Sequence, residues 1–118
     1  MAETSPIRSS QSGALTRVEF TERSIIDEVV IQQIGQQIVA LVEAQQAPKL
    51  LLDFSGVQHL SSAALGVLIT VNSKVKARGG KMALCQIAKP IFEVFRITKL
   101  DKLFQVHDTA DAAAQSLA

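Results

Sequence analysis

Two apolar runs on either side of a helix-forming stretch most constrain the fold of this chain; they lie at residues 50–54 and 81–87. Nearly continuous apolar character over a few residues is typical of a strand that is covered on both faces. Between the runs, residues 61–77 place apolar side chains at helical spacing, and Gly79 and Gly80 follow where a helix commonly ends. This order predicts a βαβ unit, in which the strands are parallel and the crossover is right-handed.

The remaining periodicity completes an α/β domain. Alternating apolar and polar residues at 15–20 predict a strand with one solvent-exposed face or an edge position. Asp27 is a good N-cap, and apolar residues recur at helical spacing from there to about Ala44. The other predicted elements are a short strand at 24–26, a loop at 55–60, a helix at 89–98, a strand at 103–106 and a helix that Asp108 or Thr109 caps and that ends at Leu117.

A chain of 118 residues has the length of one domain. Apolar residues make up 47% of the chain and charged residues 19%, which excludes a disordered protein. Residues 1–13 are rich in Ser, Gly and Gln and poor in apolar residues. We therefore predict a flexible N-terminal arm at residues 1–13, followed by the domain at residues 14–117.

The expected location is the cytoplasm. No apolar run at the N-terminus resembles a secretory signal, and no run reaches the roughly 18 residues that span a bilayer. Cys85 is the only cysteine and cannot form an internal disulfide, which fits a reducing compartment. We expect no membrane partner.

The charges are unevenly distributed, although the net charge of the chain is only +1. Residues 74–102 carry eight bases and two acids, and a basic segment can bind nucleic acid or an acidic partner. We favour the simpler interpretation that lysines near the end of a helix stay solvated. Because Trp and Tyr are absent, aromatic platforms for stacked bases are scarce, and we expect no nucleic-acid partner.

Signals for catalysis and for metal or cofactor binding are weak. The sequence lacks the GxGxxG, Walker A, GxSxG and CxxC patterns. His59, His107, Cys85 and Asp53 match no zinc-ligand spacing. Ser62 and His59 could form a nucleophile and base, but no acid is evident to orient the histidine. We therefore predict a protein that is not an enzyme and that holds no metal or cofactor.

The informative segment is DFSGVQHLSSAALG at residues 53–66, where a buried strand ends and a helix begins. Functional loops gather at the carboxyl ends of parallel strands. If Ser61 is the N-cap, Ser62 takes the first helical position with its hydroxyl toward solvent. A phosphate there would lie at the positive end of the helix and add a charge of about −1.5 to −2. From the spacing alone, a plain cap and a phosphorylation switch both remain open.

The same segment and its context resemble the STAS domain family, specifically the small bacterial anti-sigma factor antagonists. The resemblance extends over about residues 14–117 and is strongest over 50–104. It rests on Leu51-Leu52-Asp53-Phe54, on Ser61-Ser62-Ala63-Ala64-Leu65-Gly66, on Arg78-Gly79-Gly80 and on the run PIFEVFRITKLDKL that starts at Pro90. Two residues depart from the family pattern: Ser61 stands where aspartate is frequent, and Ala64 where glycine is common.

The resemblance implies a fold and a function. The implied fold is a mixed, mostly parallel sheet of four or five strands with about four helices mainly on one face. The implied function is partner switching, in which the unphosphorylated antagonist binds an anti-sigma factor that is also a serine kinase, and a sigma factor is released. The kinase would phosphorylate Ser62, or alternatively Ser61, and a PP2C-type phosphatase would reverse this. We expect a monomer or a weak homodimer.

A stripe of small residues on the second long helix is the expected partner-binding surface. Two interpretations of the stripe are open: close packing of a neighbouring helix of the same domain, or an exposed groove that receives the partner. The predicted partner-binding residues are Ser61, Ser62, Ala63, Gly66, Thr70 and Ser73, together with Asp27.

Two other functions remain open at this stage. The chain could be a STAS scaffold or ligand-sensing module that is not phosphorylated, in a stress-signalling or lipid-transport complex. The serine at position 61, in place of the family's aspartate, favours this alternative. A small α/β enzyme has only the proximity of Ser62 and His59 in the sequence to support it.

Overall fold

The computed structural model describes residues 6–117 of the chain. Within these residues no helix is sufficiently long and apolar to cross a membrane. The elements in chain order are β1 (Ile7–Ser12), β2 (Leu15–Phe20), β3 (Ser24–Ile25), α1 (Glu28–Glu43), β4 (Lys49–Asp53), β5 (His59–Leu60), α2 (Ser62–Ala77), β6 (Lys81–Cys85), α3 (Lys89–Ile97), a 3-10 turn (Leu100–Lys102), β7 (Gln105–His107) and α4 (Ala110–Leu117).

Five strands form the main sheet, in the order β1-β2-β4-β6-β7. Strands β2, β4, β6 and β7 are parallel, and β1 is antiparallel to β2. The predicted βαβ unit is confirmed: β4 and β6 are adjacent and parallel, with Leu50 beside Met82, and α2 connects them. The mixed, mostly parallel sheet that the family resemblance implies is therefore present.

The two faces of the sheet are covered unequally. Leu50, Leu52 and Leu84 point to one face and share a core with buried residues of α1, α2 and α3. The alternate residues, such as Leu51, point to the other face, where α4 covers them with Ala113 and Leu117. Three helices thus lie on one face and one on the other, which confirms the prediction of helices mainly on one face.

The prediction of a flexible arm at residues 1–13 is wrong for residues 7–12. These residues form β1, which is joined to β2 by a two-residue turn and pairs with it from Ile7 beside Phe20 to Ser12 beside Leu15. Only the side chain of Ile7 is buried, so main-chain hydrogen bonds rather than apolar burial hold this strand. Because β1 covers β2, the edge position considered for β2 is also wrong. Residues 1–5 lie outside the described chain.

Two smaller differences concern short elements. His59 and Leu60, predicted to lie in a loop, form β5 and pair in parallel with β3 in a separate two-stranded sheet. The last strand begins at Gln105 rather than near residue 103, because the 3-10 turn precedes it and Phe104 is buried against Phe95 with ring centroids 5.9 Å apart.

Gly80, between α2 and β6, lies close to the main chain of Pro48, just before β4. A Cβ atom at this position would lie 2.1 Å from the carbonyl oxygen of Pro48, well inside van der Waals contact. The neighbouring Lys81 donates its N–H to the same oxygen at 2.8 Å, so the two segments cannot separate without losing a hydrogen bond between the starts of β4 and β6.

We expect Gly80→Ala to lower the free energy of unfolding by about 3 kcal/mol, because the added methyl group overpacks a rigid main-chain contact. Gly66→Ala is the matched control, since a Cβ there meets no atom within 4 Å and lies inside α2. It should stabilise the protein by about 0.5–1 kcal/mol through helix propensity. Urea denaturation measures both values; equal effects of the two variants would contradict the proposed contact.

Candidate functional site

The site is built where two helices begin side by side. Parallel pairing places Ile25 of β3 beside Leu60 of β5, and the next main-chain contact is a 3.1 Å hydrogen bond from the Ser61 N–H to the Ile25 carbonyl. Each short strand leads directly into a helix, α1 after β3 and α2 after β5. The N-caps of α1 and α2, Asp27 and Ser61, therefore lie at the same end of the domain.

Ser61 is the N-cap of α2, as the spacing predicts. Its side-chain oxygen accepts a hydrogen bond from the Ala64 N–H at 3.3 Å, and its carbonyl accepts one from the Leu65 N–H at 3.1 Å. The residue is half-buried. Its hydroxyl oxygen thus satisfies one of the N–H groups that a helix leaves unpaired at its start.

Ser62 occupies the first position of α2 and is exposed. Within residues 6–117, no hydrogen bond engages its hydroxyl. The side chain lies at the positive end of the helix, where negative charge is favourable. The position is thus chemically suited to accept a phosphoryl group, and the assignment of Ser62 as the phosphoacceptor, with Ser61 as the alternate, stays a prediction.

Asp27 has a structural role at the neighbouring helix. One carboxylate oxygen, Oδ1, accepts hydrogen bonds from the N–H groups of Val29 at 2.8 Å and Val30 at 3.1 Å. The residue is exposed, so it can also contact a second protein. It adds negative charge at the end of the domain that carries Ser62.

The predicted stripe of small residues lies on the surface. Ala63, Gly66, Thr70 and Ser73 are all exposed. The first three line a shallow groove between α1 and α2, with a volume of about 450 Å³; Ser73 is not part of its wall. We call this the α1–α2 groove. Its remaining walls come from Val67 and Val71 on α2 and, on α1, from Gln32, Gly35, Gln36 and Val39.

The structure places most of the stripe in an exposed groove beside a close contact between the helices; that the groove receives the partner stays a prediction. The helices do pack closely, but through Gly35 and Val67: a Cβ at Gly35 would lie 3.2 Å from a methyl group of Val67. The exposed residues of the stripe lie beside this contact and not within it. The glycine in the middle of α1 is thus explained by its proximity to α2.

A second groove, which the sequence did not reveal, lies on the opposite side of α2. It has a volume of about 340 Å³, and its apolar walls come from the residue after β3, from β5, and from α2 and α3; Gln58 and His59 are its polar lining residues. The apolar side chains that line it are Ile26, Leu60, Leu65, Pro90, Ile91 and Val94. Leu60 and Leu65 lie on either side of the Ser61-Ser62 pair in sequence, so this groove adjoins the candidate phosphorylation site.

An ion pair between the buried Asp53 and the partly exposed Arg17 anchors the loop that leads to the site. The Asp53 side chain is fully buried at the end of β4, where Oδ2 accepts a hydrogen bond from Arg17 at 2.5 Å and Oδ1 accepts one from the Ser55 N–H at 2.9 Å. The hydrogen bond to Asp53 raises the pKa of Arg17 above its ordinary value. The carboxylate thus ties the start of the loop to the strands β2 and β4.

The residues considered for metal binding or nucleophilic catalysis are not assembled into such a site. His59 lies on β5 and His107 on β7, which belong to different sheets. Among residues 6–117, no group of three His, Cys, Asp or Glu side chains is placed to hold a metal ion. No hydrogen bond joins Ser62 to His59 in the part of the chain that the structure describes.

Substituting the two serines by alanine should have different effects on the stability of the protein. We expect Ser61→Ala to lower the free energy of unfolding by about 1 kcal/mol, because it removes the cap of α2. Ser62→Ala should change it by less than about 0.5 kcal/mol, because its hydroxyl is exposed and unbonded. Chemical denaturation of both variants gives the comparison, and a larger loss for Ser62→Ala would reverse the two roles.

Cys85 should be unreactive in the folded protein. Its side chain is fully buried, and burial raises the pKa of the thiol to about 11. At pH 8 only about one thiol in a thousand would be the reactive thiolate. A colorimetric disulfide reagent should therefore react at least about 100-fold more slowly with the native protein than with protein unfolded in urea. Equal rates would contradict the burial of this side chain.

Residues 15–113 of the sequence match the STAS domain family. BtrV of Bordetella bronchiseptica, described as a candidate anti-sigma factor antagonist, is 25% identical over 92 residues, which are 78% of each protein. A solved anti-sigma-factor antagonist (STAS) domain protein from Planctomyces limnophilus has a TM-score of 0.87 at 24% identity, over 98% of this chain and 100% of its own. SpoIIAA, a Bacillus cell fate determinant solved in phosphorylated form, has a TM-score of 0.72 at 13% identity, over 95% of this chain and 99% of its own. This chain belongs to the STAS domain family.

Proposed function

We propose that this protein is an anti-sigma factor antagonist that acts by phosphorylation-controlled partner switching. With Ser62 unphosphorylated, it binds an anti-sigma factor that is also a serine kinase, and the sigma factor held by that kinase is released. Transfer of the γ-phosphoryl group of ATP to the Ser62 oxygen releases ADP and the hydroxyl proton, and it ends the binding. A PP2C-type phosphatase hydrolyses the phosphoester and restores the serine.

The observation that carries this proposal is the position of Ser62. Its hydroxyl is exposed and unbonded within the described chain, and it opens a helix between two surface grooves. The named relative BtrV, described as a candidate anti-sigma factor antagonist, supports the general role. Ser62 is chosen over Ser61 as the phosphoacceptor because the side-chain oxygen of Ser61 already caps α2.

A phosphate on Ser62 would alter binding without disturbing the fold. The helix N-terminus favours the added negative charge by about 0.3–1 kcal/mol. A partner that covers the site would have to remove water from the phosphate dianion, at the end of the domain that also carries the Asp27 carboxylate. This desolvation is costly unless the partner supplies cations. The domain therefore tolerates the modification, and the complex does not.

The proposed role is non-catalytic and cytoplasmic. The protein contributes a hydroxyl and a docking surface, and the kinase and phosphatase supply the chemistry. The fully buried and single Cys85 is compatible with a reducing compartment. We expect the free antagonist to be a monomer or a weak homodimer.

A second candidate is a STAS scaffold or ligand-sensing module that is not phosphorylated. Ser61 favours it, because the family's frequent aspartate at this position is absent. Such a scaffold should form a large assembly, whereas a free antagonist should elute as a monomer or dimer in size-exclusion chromatography with light scattering.

The direct test is phosphorylation by the serine-kinase anti-sigma factors encoded in the source genome, each purified and incubated with this protein and ATP. We expect one of them to add about 80 Da to the intact mass, the mass of one phosphoryl group. Ser62→Ala should abolish the addition, and Ser61→Ala, the matched control, should retain it. A phosphoryl group that persists in Ser62→Ala would move the site to another residue.

The same kinase serves for the binding measurement. Ser62→Asp should weaken binding of the anti-sigma factor by roughly 10- to 100-fold, which is about 1.4–2.7 kcal/mol. The melting temperature should stay nearly unchanged because the substitution lies at an exposed helix N-terminus. Absence of both binding and phosphorylation with every kinase tested would refute the proposed function.

A further inference from the structure

The exposed large apolar side chains are concentrated on one side of the domain. Six are found in the described chain, and five of these lie on or directly before α1, α2 and α3; α4 carries none. The six residues are Ile26, Val29, Ile69, Val94, Ile97 and Leu103. Contiguous apolar surface on a domain of this size usually marks an interaction site.

Several of these side chains extend the apolar groove beside Ser62 into a larger surface. Ile26 and Val94 line the groove and are 59% and 41% exposed. Ile97, one helical turn after Val94, is 78% exposed, and Ile69, one turn after Leu65, is 37% exposed. We call this region the α2–α3 surface; it consists of Ile26, Leu60, Leu65, Ile69, Pro90, Ile91, Val94 and Ile97.

The α1–α2 groove on the other side of α2 has a different character. Its exposed walls include Gln32, Gln36 and Thr70, and the hydroxyl of Thr70 already donates a hydrogen bond to the Gly66 carbonyl at 3.2 Å. Its apolar walls, Val39, Val67 and Val71, are half-buried or buried, and none of the six exposed large apolar side chains lies in it. The larger hydrophobic gain on binding is therefore available on the α2–α3 surface.

The charges beside the α2–α3 surface indicate the chemistry of its occupant. Glu93 forms an ion pair with Arg96 at 3.2 Å, so these two charges compensate each other. Lys99 and Lys102 follow α3 directly, and both are exposed. Within residues 6–117, neither lysine has an ion-pair partner within 4.0 Å. The surface is thus mainly apolar next to Ser62, with Gln58 and His59 as its polar lining residues, and it carries two exposed lysines beyond the C-terminal end of α3. Asp101, which lies between these lysines in sequence, is half-buried and lines a different groove.

We propose that the α2–α3 surface, rather than the α1–α2 groove, is the main docking surface for the anti-sigma factor. This inference rests on the proposed function and specifies its contact surface. The occupant is an amphipathic segment of the partner, with apolar side chains between α2 and α3 and acidic side chains over Lys99 and Lys102. Charge complementarity with these two lysines orients the segment.

This placement explains how one phosphate acts on a large apolar contact. Leu60 lines the groove, and Ser62 follows it by two residues at the start of α2. An apolar segment that fills the groove passes beside the Ser62 hydroxyl. After phosphorylation, the same segment would have to displace water from a dianion and could offer no hydrogen bonds in return.

The test uses the anti-sigma factor that binds the wild-type protein in the preceding experiment, with affinities measured by calorimetry. Val94→Asp and Ile97→Asp should each weaken binding by about 10-fold or more. Ala112→Asp is the matched control: it places the same charge at an exposed residue of α4, which covers the other face of the sheet. It should change the affinity by less than about 3-fold, and all three variants should keep the wild-type melting temperature.

A charge-reversal pair tests the orientation of the bound segment. Lys102→Glu should weaken binding, and the loss should shrink as the salt concentration rises. Lys74→Glu, which makes the same change at an exposed site in the last turn of α2, should have little effect. Equal effects of these two variants would show only a response to net charge and would overturn the proposed orientation.

The outcomes separate this inference from the proposed function. If the anti-sigma factor binds the wild-type protein, and Val94→Asp and Ile97→Asp bind it as tightly as Ala112→Asp does, the docking surface lies elsewhere and only the inference fails. If these variants instead abolish a dimer seen by light scattering and leave the partner affinity unchanged, the occupant is a second copy of this chain and the inference is again wrong. If no anti-sigma factor binds the wild-type protein, both proposals fail.

Discussion

The arrangement of the candidate site depends on a very short parallel pairing. Strands β3 and β5 contribute two residues each, and the hydrogen bond from the Ser61 N–H to the Ile25 carbonyl extends their pairing to the start of α2. Because each strand leads straight into a helix, this pairing sets the N-termini of α1 and α2 side by side. Two positive helix ends and two caps, Asp27 and Ser61, are thereby brought to one edge of the domain. The exposed Ser62 and both grooves follow from that placement.

The loop between β4 and β5 must be held firmly for this pairing to form in register. Asp53 serves that purpose, since its buried carboxylate bonds to Arg17 on β2 and to the Ser55 N–H at the start of the loop. A buried carboxylate is unfavourable unless it is paired and fully hydrogen-bonded. Gln86 donates a further, longer hydrogen bond to Asp53 at 3.4 Å, so the ends of β2 and β4 and the residue after β6 converge on one side chain. The sheet thus positions the loop, and the loop positions the site.

The sequence predicted those features that a local pattern specifies. The apolar runs at residues 50–54 and 81–87 identified the parallel strands, and the capping preference of Ser61 left Ser62 at the first helical position. Strand β1 was missed because main-chain hydrogen bonds hold it and its side chains carry no apolar alternation. The α2–α3 surface could not be seen because Ile26, Leu60 and Val94 come from three distant segments. No periodicity in the chain records that these residues meet.

The division of labour between the two serines explains how a switch can act on binding alone. Replacing the oxygen that caps α2 would cost about 1 kcal/mol, a noticeable share of the stability of a small domain. A phosphate on Ser61 would change that cap directly, so its effect on a partner could not be separated from its effect on the helix. Ser62 makes no such bond within the described chain, and its position in the first turn favours added negative charge. The capping serine therefore keeps the helix start intact whether or not its neighbour is modified, and the full electrostatic cost of a phosphate falls on whatever protein tries to cover it.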